Sequence, residues 1–249
     1  MPEEVRKKLE ENRIFAGASS DKIGKSMTTL ESERQILQAH YGAAYLENVQ
    51  DVESKLGVKK GKEMTFLEAN EGRGNPNFGK GGGYTINCQS CVVANELRRR
   101  GFDVSAQENT GRGSTPYELS IKTEKAWLDK DGNMPNRQKA GGYFYDATLS
   151  KNRMKTLQEM TRDLNELTKA EGRYHIDYFW NRENGGRGHI ITLERRPDNK
   201  IQIYDPQEGV IYDWGHLSKN IKRGMGIYVL RVDDLFVNSS IIDGIVKKN

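Results

Sequence analysis

The last third of the chain carries four segments in which apolar and polar residues alternate. They cover residues 173–180, 188–195, 200–205 and 226–232. Strict alternation is typical of a strand with one buried face. The first three are joined by NRENGGR and RPDN, short polar connections of the kind that close hairpins. Because strands joined by hairpins pair antiparallel, we predict an antiparallel meander in this part of the chain.

The region before this meander is predicted to be mostly helical. Apolar residues recur at helical spacing in residues 29–56, 88–100 and 151–170, and shorter helices are expected at 3–14 and 215–222. A short strand is expected at 102–106. Helices followed by an antiparallel sheet define the α+β class of folds.

A glycine-rich segment separates the first helices from the rest. It runs from Gly61 to Gly83, includes EGRGNPNFGKGGG, and shows little apolar periodicity. Segments of this composition are usually loops or linkers. We therefore place a domain boundary here, with a helical N-terminal extension at 1–61 and the main domain at 62–249.

Composition and charge exclude several classes of protein. No apolar run approaches the length of a membrane span. The opening MPEEVRKKLEENR is too charged for a classical signal peptide. The net charge of +4 comes from bases mixed with nearly as many acids, so nucleic-acid binding is not implied. Two cysteines are too few for a disulfide framework.

Cys88 occupies the position with the strongest chemical implication. It follows the glycine-rich segment and begins the helix predicted at 88–100. Free N–H groups and the helix dipole at that end favour an anion, and therefore the thiolate form of a cysteine, which is the nucleophile. Cys91 lies one turn further on and is the alternative nucleophile. The pair is also compatible with a redox couple or half of a zinc site. However, no βαβ context and no second ligand pair accompany it.

His189 is the first choice for a general base. It follows Gly185–Gly188 and precedes Ile190 and Ile191, so a histidine at a strand start can project into a cleft. His216, after Trp214 and Gly215, is the second choice. We expect His175 on a sheet face and His40 on a helix face.

The strand after His189 ends in YDPQEG. Asp205 is placed to accept a hydrogen bond from an imidazole on the neighbouring strand and to fix its tautomer. Gln207 could bind substrate or replace Asp205 as the orienting group. The same residues are also good turn formers, so neither is specific alone.

Three stretches together resemble a known family. NCQSCVVANELRRRGFDVSA, GGRGHIITLE and IYDPQEG are similar to the papain-fold toxin domains of glutamine deamidase type. These domains occur in bacterial polymorphic toxins and in head-morphogenesis proteins of phages and mobile elements. The upstream MTFLEANEGRGNPNF is similar to the lead-in of the phage-associated members. The resemblance covers about residues 62–210.

The resemblance implies a papain-like fold and a set of roles. Cys88 matches the nucleophile, His189 the base and Asp205 the third member of the triad, with Gln207 in the DPQ-type motif and Asn87 as an oxyanion donor. Residues 62–249 would then form a papain-like catalytic domain.

The implied reaction is deamidation of a glutamine side chain on a target protein through a thioester, with no metal or organic cofactor. The resemblance also implies an effector acting in a cytoplasm, delivered without a classical signal peptide, and a cognate immunity protein. Nucleic-acid and membrane partners are not expected. Proteolysis and transglutaminase-type acyl transfer share the same acyl-enzyme and stay open. A non-catalytic phage or secretion module and a basic nuclease toxin are further alternatives.

Overall fold

A computed structural model describes residues 42–70, 74–181 and 188–249. The helices predicted at 3–14 and over 29–41, His40, and the connection 182–187 lie outside the described residues. No helix among the described residues has both the length and the apolar content needed to cross a bilayer.

Six α-helices occur in the described part of the chain, connected by several short 3₁₀ turns. They are α1 (42–56), α2 (Phe66–Ala69), α3 (Cys88–Arg99), α4 (Thr115–Ile121), α5 (Leu157–Leu167) and α6 (Trp214–Lys219). Side-chain caps fix several of their starts: Thr65 and Thr156 form capping boxes, and Ser114 and Asp213 accept from first-turn N–H groups.

Twelve strands form one large sheet and three small ones in the described residues. They are β1 (Val104–Ala106), β2 (Trp127–Leu128), β3 (Gln138–Ala140), β4 (Tyr143–Asp146), β5 (Lys151–Met154), β6 (Gly172–Phe179), β7 (Gly188–Arg195), β8 (Ile201–Asp205), β9 (Val210–Tyr212), β10 (Ile227–Arg231), β11 (Phe236–Val237) and β12 (Val246–Lys248). The six-stranded antiparallel sheet has the order β3-β10-β6-β7-β8-β9. The pairs β1–β12, β2–β11 and β4–β5 form the small sheets.

The large sheet separates two apolar clusters. Helix α3 packs on one face, where Val92 and Val93 are buried in a cluster that includes Ile190 of β7 and Leu230 of β10. Helices α5 and α6 cover the other face through a cluster of Met160, Leu164, Leu217 and the inward side chains of β6, β7, β8 and β10. This mixed helical and antiparallel arrangement confirms the predicted α+β class.

Ion pairs attach α3 to the sheet. Buried Glu96 accepts hydrogen bonds from Arg100, the residue that caps the end of α3, and from Arg173 of β6, at 2.8 and 2.7 Å. Arg99 donates to both carboxylate oxygens of Glu194 on β7, at 2.6 and 2.9 Å. These contacts fix the orientation of the helix that begins at Cys88.

The N-terminal helix α1 packs on the α3 side of the sheet. Val52 and Val58 belong to the same apolar cluster as α3. The Asn48 side chain donates to the Val237 carbonyl and accepts from the Val237 N–H, at 2.8 and 2.9 Å. The boundary near residue 61 stays a prediction, since these contacts do not measure whether 62–249 folds alone.

Two parts of the secondary-structure prediction are wrong. Residues 151–154 form strand β5, paired with β4, rather than the start of the helix predicted at 151–170. The helix begins only at Leu157, because the Thr156 capping box starts it there. The described parts of the glycine-rich segment, 61–70 and 74–83, are also not a plain linker, since they contain α2 and a buried Asn75.

Candidate active site

Cys88 is the first residue of α3. The first intrahelical bond of this helix runs from the Cys91 N–H to the Asn87 carbonyl, at 3.1 Å. The N–H groups of Cys88, Gln89 and Ser90 precede it and have no acceptor within the helix. The thiol is largely buried, and the residue lines a cavity. Cys88 therefore lies at the positive end of the helix dipole, where the helix leaves N–H groups without an intrahelical acceptor.

His189 and Asp205 meet on the neighbouring strands β7 and β8. The Nε2 atom of His189 lies 2.6 Å from Oδ2 of Asp205. The other carboxylate oxygen of Asp205 accepts from the N–H groups of Gln207 and Glu208, at 2.9 and 3.3 Å. Asp205 is fully buried, and so its carboxylate is fixed in the orientation that holds the imidazole.

His189 and Cys88 line the same cavity, and Cys88 is near enough to the imidazole to affect its pKa. With Nε2 bonded to Asp205, the remaining ring nitrogen, Nδ1, is the one left for the thiol. Burial disfavours the charged ring, but the hydrogen bonds and charges of Asp205 and Cys88 outweigh it and raise the pKa of His189. The site therefore favours an imidazolium beside the sulfur.

Two aromatic rings hold the imidazole. Trp180 stacks on His189 with ring centroids 5.9 Å apart and an interplanar angle of 27°. Tyr178 meets the ring edge-on, at 5.8 Å and 86°. Sequence reasoning missed both residues, because RYHIDYFW was interpreted only as a strand. The signal that could have found them is the density of aromatic side chains just before the glycine loop.

Cys91 lies in a different environment from Cys88. It is fully buried and does not line the cavity. Its thiol donates to Oδ1 of Asn87 at 3.3 Å. Burial, together with the neighbouring Cys88 and Asp205, raises the pKa of the Cys91 thiol well above its ordinary value. Since Cys88 lines the cavity and Cys91 does not, the geometry favours Cys88 over Cys91 as the nucleophile.

Asn87 does not have the geometry expected of an oxyanion donor. Its side-chain amide donates to the Gln107 carbonyl at 2.9 Å and to Oδ1 of Asn75 at 3.4 Å. Both amide hydrogens are thus engaged inside a fully buried side chain. Asn87 instead connects the start of α3 to the surrounding loops.

Gln207 lines the cavity and connects the end of β8 to the segment that precedes α3. Its side-chain amide donates to the Thr85 carbonyl at 2.6 Å. The backbone carbonyl of Gln207 accepts a hydrogen bond from the Asn75 side chain at 3.2 Å. Since the imidazole pairs with Asp205, Gln207 is not the orienting group in this structure.

The other described histidines lie away from the cavity. His216 is exposed on α6, a helix that packs on the opposite face of the sheet from α3. His175 is buried edge-on against Trp127, at 5.5 Å, and burial lowers its pKa to about 4. Neither residue can act as the base for Cys88 in this arrangement.

The cavity beside Cys88 and His189 has a volume of about 760 Å³. Side chains with apolar or aromatic surface form much of its wall: Ile86, Tyr117, Ile121, Phe179, Trp180, Met225 and Tyr228. Arg137 and Asp177 add an ion pair to the wall, with Nη1 and Oδ2 2.6 Å apart. Sequence reasoning did not identify either charged residue. Across the three described ranges, no three His, Cys, Asp or Glu side chains are grouped so as to hold a metal ion.

A cysteine at a helix start, facing a histidine and an aspartate on adjacent strands, defines a papain-like α+β protein. The sequence profile of the family described as "Papain fold toxin 1, glutamine deamidase" matches residues 86–210. This match spans half of the chain and includes Cys88, His189 and Asp205, and the chain belongs to this family.

Among solved structures, the chain is similar to the Salmonella effector SpvD in its G161 variant. The identity is 13% and the TM-score 0.38, with 75% of this chain and 90% of that chain covered. No curated protein sequence matches the chain.

Proposed function

We propose that this protein is a delivered toxin that deamidates a glutamine side chain of a target protein. The observation that carries the proposal is the hydrogen bond between Asp205 and His189, with His189 and Cys88 together at the wall of one cavity. Membership of a family described as glutamine deamidase toxins supports the same reading.

The first half of the proposed reaction forms a thioester. The Cys88 thiolate attacks the carboxamide carbon of the glutamine, and the carbonyl oxygen becomes an oxyanion facing the free N–H groups at the start of α3. His189 protonates the nitrogen as the C–N bond breaks, and ammonia leaves. Asp205 keeps the imidazole oriented and stabilises its charge.

The second half regenerates the thiol. His189 accepts a proton from water as the water oxygen attacks the thioester carbon. The C–S bond breaks, the sulfur recovers its proton, and a glutamate side chain is released. The target thereby exchanges an amide N–H₂ donor for a negative charge, which can inactivate a protein that uses that glutamine.

The test compares cells that express the wild type with cells that express Cys88→Ala. Proteomics should reveal a target in which one glutamine becomes glutamate, a gain of about one dalton by amide-to-acid replacement. Cys88→Ala and His189→Ala should abolish the conversion. Cys91→Ala is the matched control, because its thiol lies outside the cavity, and this variant should keep the activity.

Other outcomes would assign a different chemistry. Target fragments that depend on Cys88 would indicate a peptidase, and amine adducts on glutamine would indicate acyl transfer. Toxicity unchanged in Cys88→Ala and His189→Ala would contradict the enzyme proposal and favour a binding module or a nuclease.

We also propose that the protein is delivered into a cytoplasm and that a cognate immunity protein exists. Co-purification with the product of a neighbouring gene tests the proposed immunity protein.

A further inference from the structure

A second carboxylate lies in the wall of the catalytic cavity, outside the Cys88, His189 and Asp205 group. Asp177 lies on β6, where its register partner on β7 is Ile190, the residue after His189. Its side chain is 18% exposed and lines the same cavity as Cys88. A carboxylate in the wall of the cavity that Cys88 and His189 also line can contact a substrate bound there.

One oxygen of this carboxylate is already engaged. Arg137 donates from Nη1 to Oδ2 of Asp177 at 2.6 Å. The guanidinium lies over the ring of Tyr228, 4.9 Å from its centroid, and its Nε is 3.0 Å from a carboxylate oxygen of Glu124. Arg137 is thus held on two further sides, and in turn it fixes the plane of the Asp177 carboxylate.

The other oxygen of Asp177 is available as an acceptor. Among the hydrogen bonds of the described residues, Asp177 accepts one at Oδ2 and none at Oδ1. Glu208 is the other carboxylate outside the triad that lines the cavity, but it is exposed at the rim. The partly buried wall position makes Asp177 the stronger acceptor for a group that enters the cavity, since exposed charges are screened by water.

A glutamine side chain entering this cavity needs such an acceptor. Its carbonyl oxygen is directed at the N–H groups of the helix start, and its N–H₂ group presents two donors that lose water on entry. A buried donor without a partner is costly. Resting on the proposed function, we infer that Asp177 is a specificity-determining residue that accepts a hydrogen bond from the N–H₂ group of the target carboxamide.

The same contact distinguishes substrate from product. The glutamate formed by deamidation has no N–H donor and carries a negative charge, so Asp177 repels it. A site built to bond an N–H group discriminates strongly against analogues that lack it. Asp177 therefore favours entry of glutamine and release of glutamate.

The experiment measures how the protein discriminates between an amide and an ester. The probes are a peptide spanning the converted target glutamine and the same peptide with the γ-methyl ester of glutamate, which has no N–H₂ group. In Asp177→Asn, we expect kcat/KM for the amide to fall about tenfold to a hundredfold. The value for the ester should stay within about twofold, because no hydrogen bond is lost there.

Two variants serve as matched controls. Asp198→Asn makes the same chemical change in the exposed turn between β7 and β8 and should alter neither probe. Glu208→Gln removes the rim carboxylate and should leave the amide-to-ester ratio unchanged. An equal change of the ratio in Glu208→Gln would assign the effect to the general field of the cavity and overturn the inference.

Product inhibition and pH give independent readouts. The glutamate-containing peptide should inhibit Asp177→Asn more strongly than the wild type. Burial raises the pKa of Asp177 to about 6 against the opposing effect of Arg137, so the wild-type preference for the amide should weaken as the pH falls through about 6.

Equal losses on both probes in Asp177→Asn would mean a structural role and overturn the inference while leaving the deamidase proposal intact. A wild-type protein that converts neither probe would count against the proposed function itself.

Discussion

The side chain of Asp205 shows how little freedom the residues of the site retain. Its two oxygens receive three contacts, from His189 and from two backbone N–H groups. A neutral amide cannot reproduce this arrangement, because one end of an amide donates rather than accepts. The orientation of the imidazole therefore depends on the charge of Asp205 as well as on its shape.

For Asp205→Asn we expect kcat for target deamidation to fall by about 10²–10⁴-fold with a nearly unchanged fold, because the imidazole loses its preferred tautomer. Initial-rate kinetics checks this, and far-ultraviolet circular dichroism checks the fold. Activity within threefold of the wild type would show that Gln207 or another group orients the base.

The raised pKa of His189 also predicts a pH dependence of stability. Its folded-state pKa lies above the ordinary 6.5. The charge of His189 therefore stabilises the fold fully below pH 6.5 and loses this contribution as the pH rises through the folded-state pKa. Urea unfolding measured from neutral to alkaline pH should show that the free energy of unfolding declines. The decline should be smaller in His189→Ala, which lacks the charged ring.

The sequence predicted the residues of the site better than their contacts. His189 and Asp205 follow from strand order, and Cys88 follows from its place at a helix start. The oxyanion-donor role expected of Asn87 does not agree with its hydrogen bonds. Gln107 and Asn75 engage its amide, and only the folded loops reveal these contacts. Asp177 was missed because a charged residue in an alternating strand normally faces water.

Among the elements, the segment just before α3 determines where Cys88 lies. The Gly83 N–H donates to the Glu108 side chain at 3.0 Å, and the Asn109 side chain donates to the Ile86 carbonyl at 3.1 Å. A Cβ atom on Gly83 would lie 2.2 Å from the Asn109 carbonyl oxygen. The close approach of these two backbones therefore requires glycine at this position.

Gly83→Ala should move this segment, lower stability by about 1–3 kcal/mol and reduce deamidation, because the clash is with backbone atoms that cannot move aside. Gly79→Ala is the control, since a Cβ there meets no atom within 4 Å. Denaturant unfolding and activity of the two variants provide the comparison. Equal behaviour of the pair would contradict this account.

The secondary structure was predicted well for elements with a long apolar period. It was predicted wrongly for short strands and for the helix whose start is set by the Thr156 capping box. Helix α3 and strands β6, β7, β8 and β10 match the predicted spans closely. Strands β4 and β5 were missed, because four-residue strands carry too few alternations to be distinguished from loop or helix. The site depends on the long elements, which is why its main residues were predictable.

At the scale of the whole molecule, the buried Glu96 group joins helix and sheet. Glu96 is fully buried, and the charges and hydrogen bonds of Arg100 and Arg173 overcome the effect of burial and lower its pKa to about 2. This contribution to stability is present above the ordinary pKa of 4.5 and is lost as the pH falls through about 2.

Glu96→Gln should destabilise the protein by about 3 kcal/mol or more, because it leaves the buried guanidinium of Arg100 and the partly buried guanidinium of Arg173 without their carboxylate. In Glu96→Gln, the free energy of unfolding should also depend much less on pH between 4.5 and about 2. Glu166→Gln, in an exposed pair with Lys169, should change little. Urea unfolding at neutral and acidic pH separates the two; an unaffected Glu96→Gln variant would contradict the role of this group.

The predicted domain boundary can be tested at the same scale. Removal of residues 1–61 takes Val52 and Val58 out of the shared core and breaks the Asn48 contacts with Val237. Loss of the burial that one core valine contributes costs about 1.5 kcal/mol or more, and so we expect residues 62–249 to unfold at a lower temperature than the whole chain. Calorimetry of the whole chain and of residues 62–249 measures the two unfolding temperatures. Equal temperatures would support an N-terminal extension that is independent of the main domain.

The distance along the chain between Cys88 and its partners has a consequence for biosynthesis. The thiol leaves the ribosome about a hundred residues before His189 and Asp205, and β1, just after α3, pairs with β12 near residue 247. Pairings this far apart in sequence form slowly. A nascent chain therefore carries Cys88 without His189 and Asp205 while about a hundred further residues are added, and the site is assembled late.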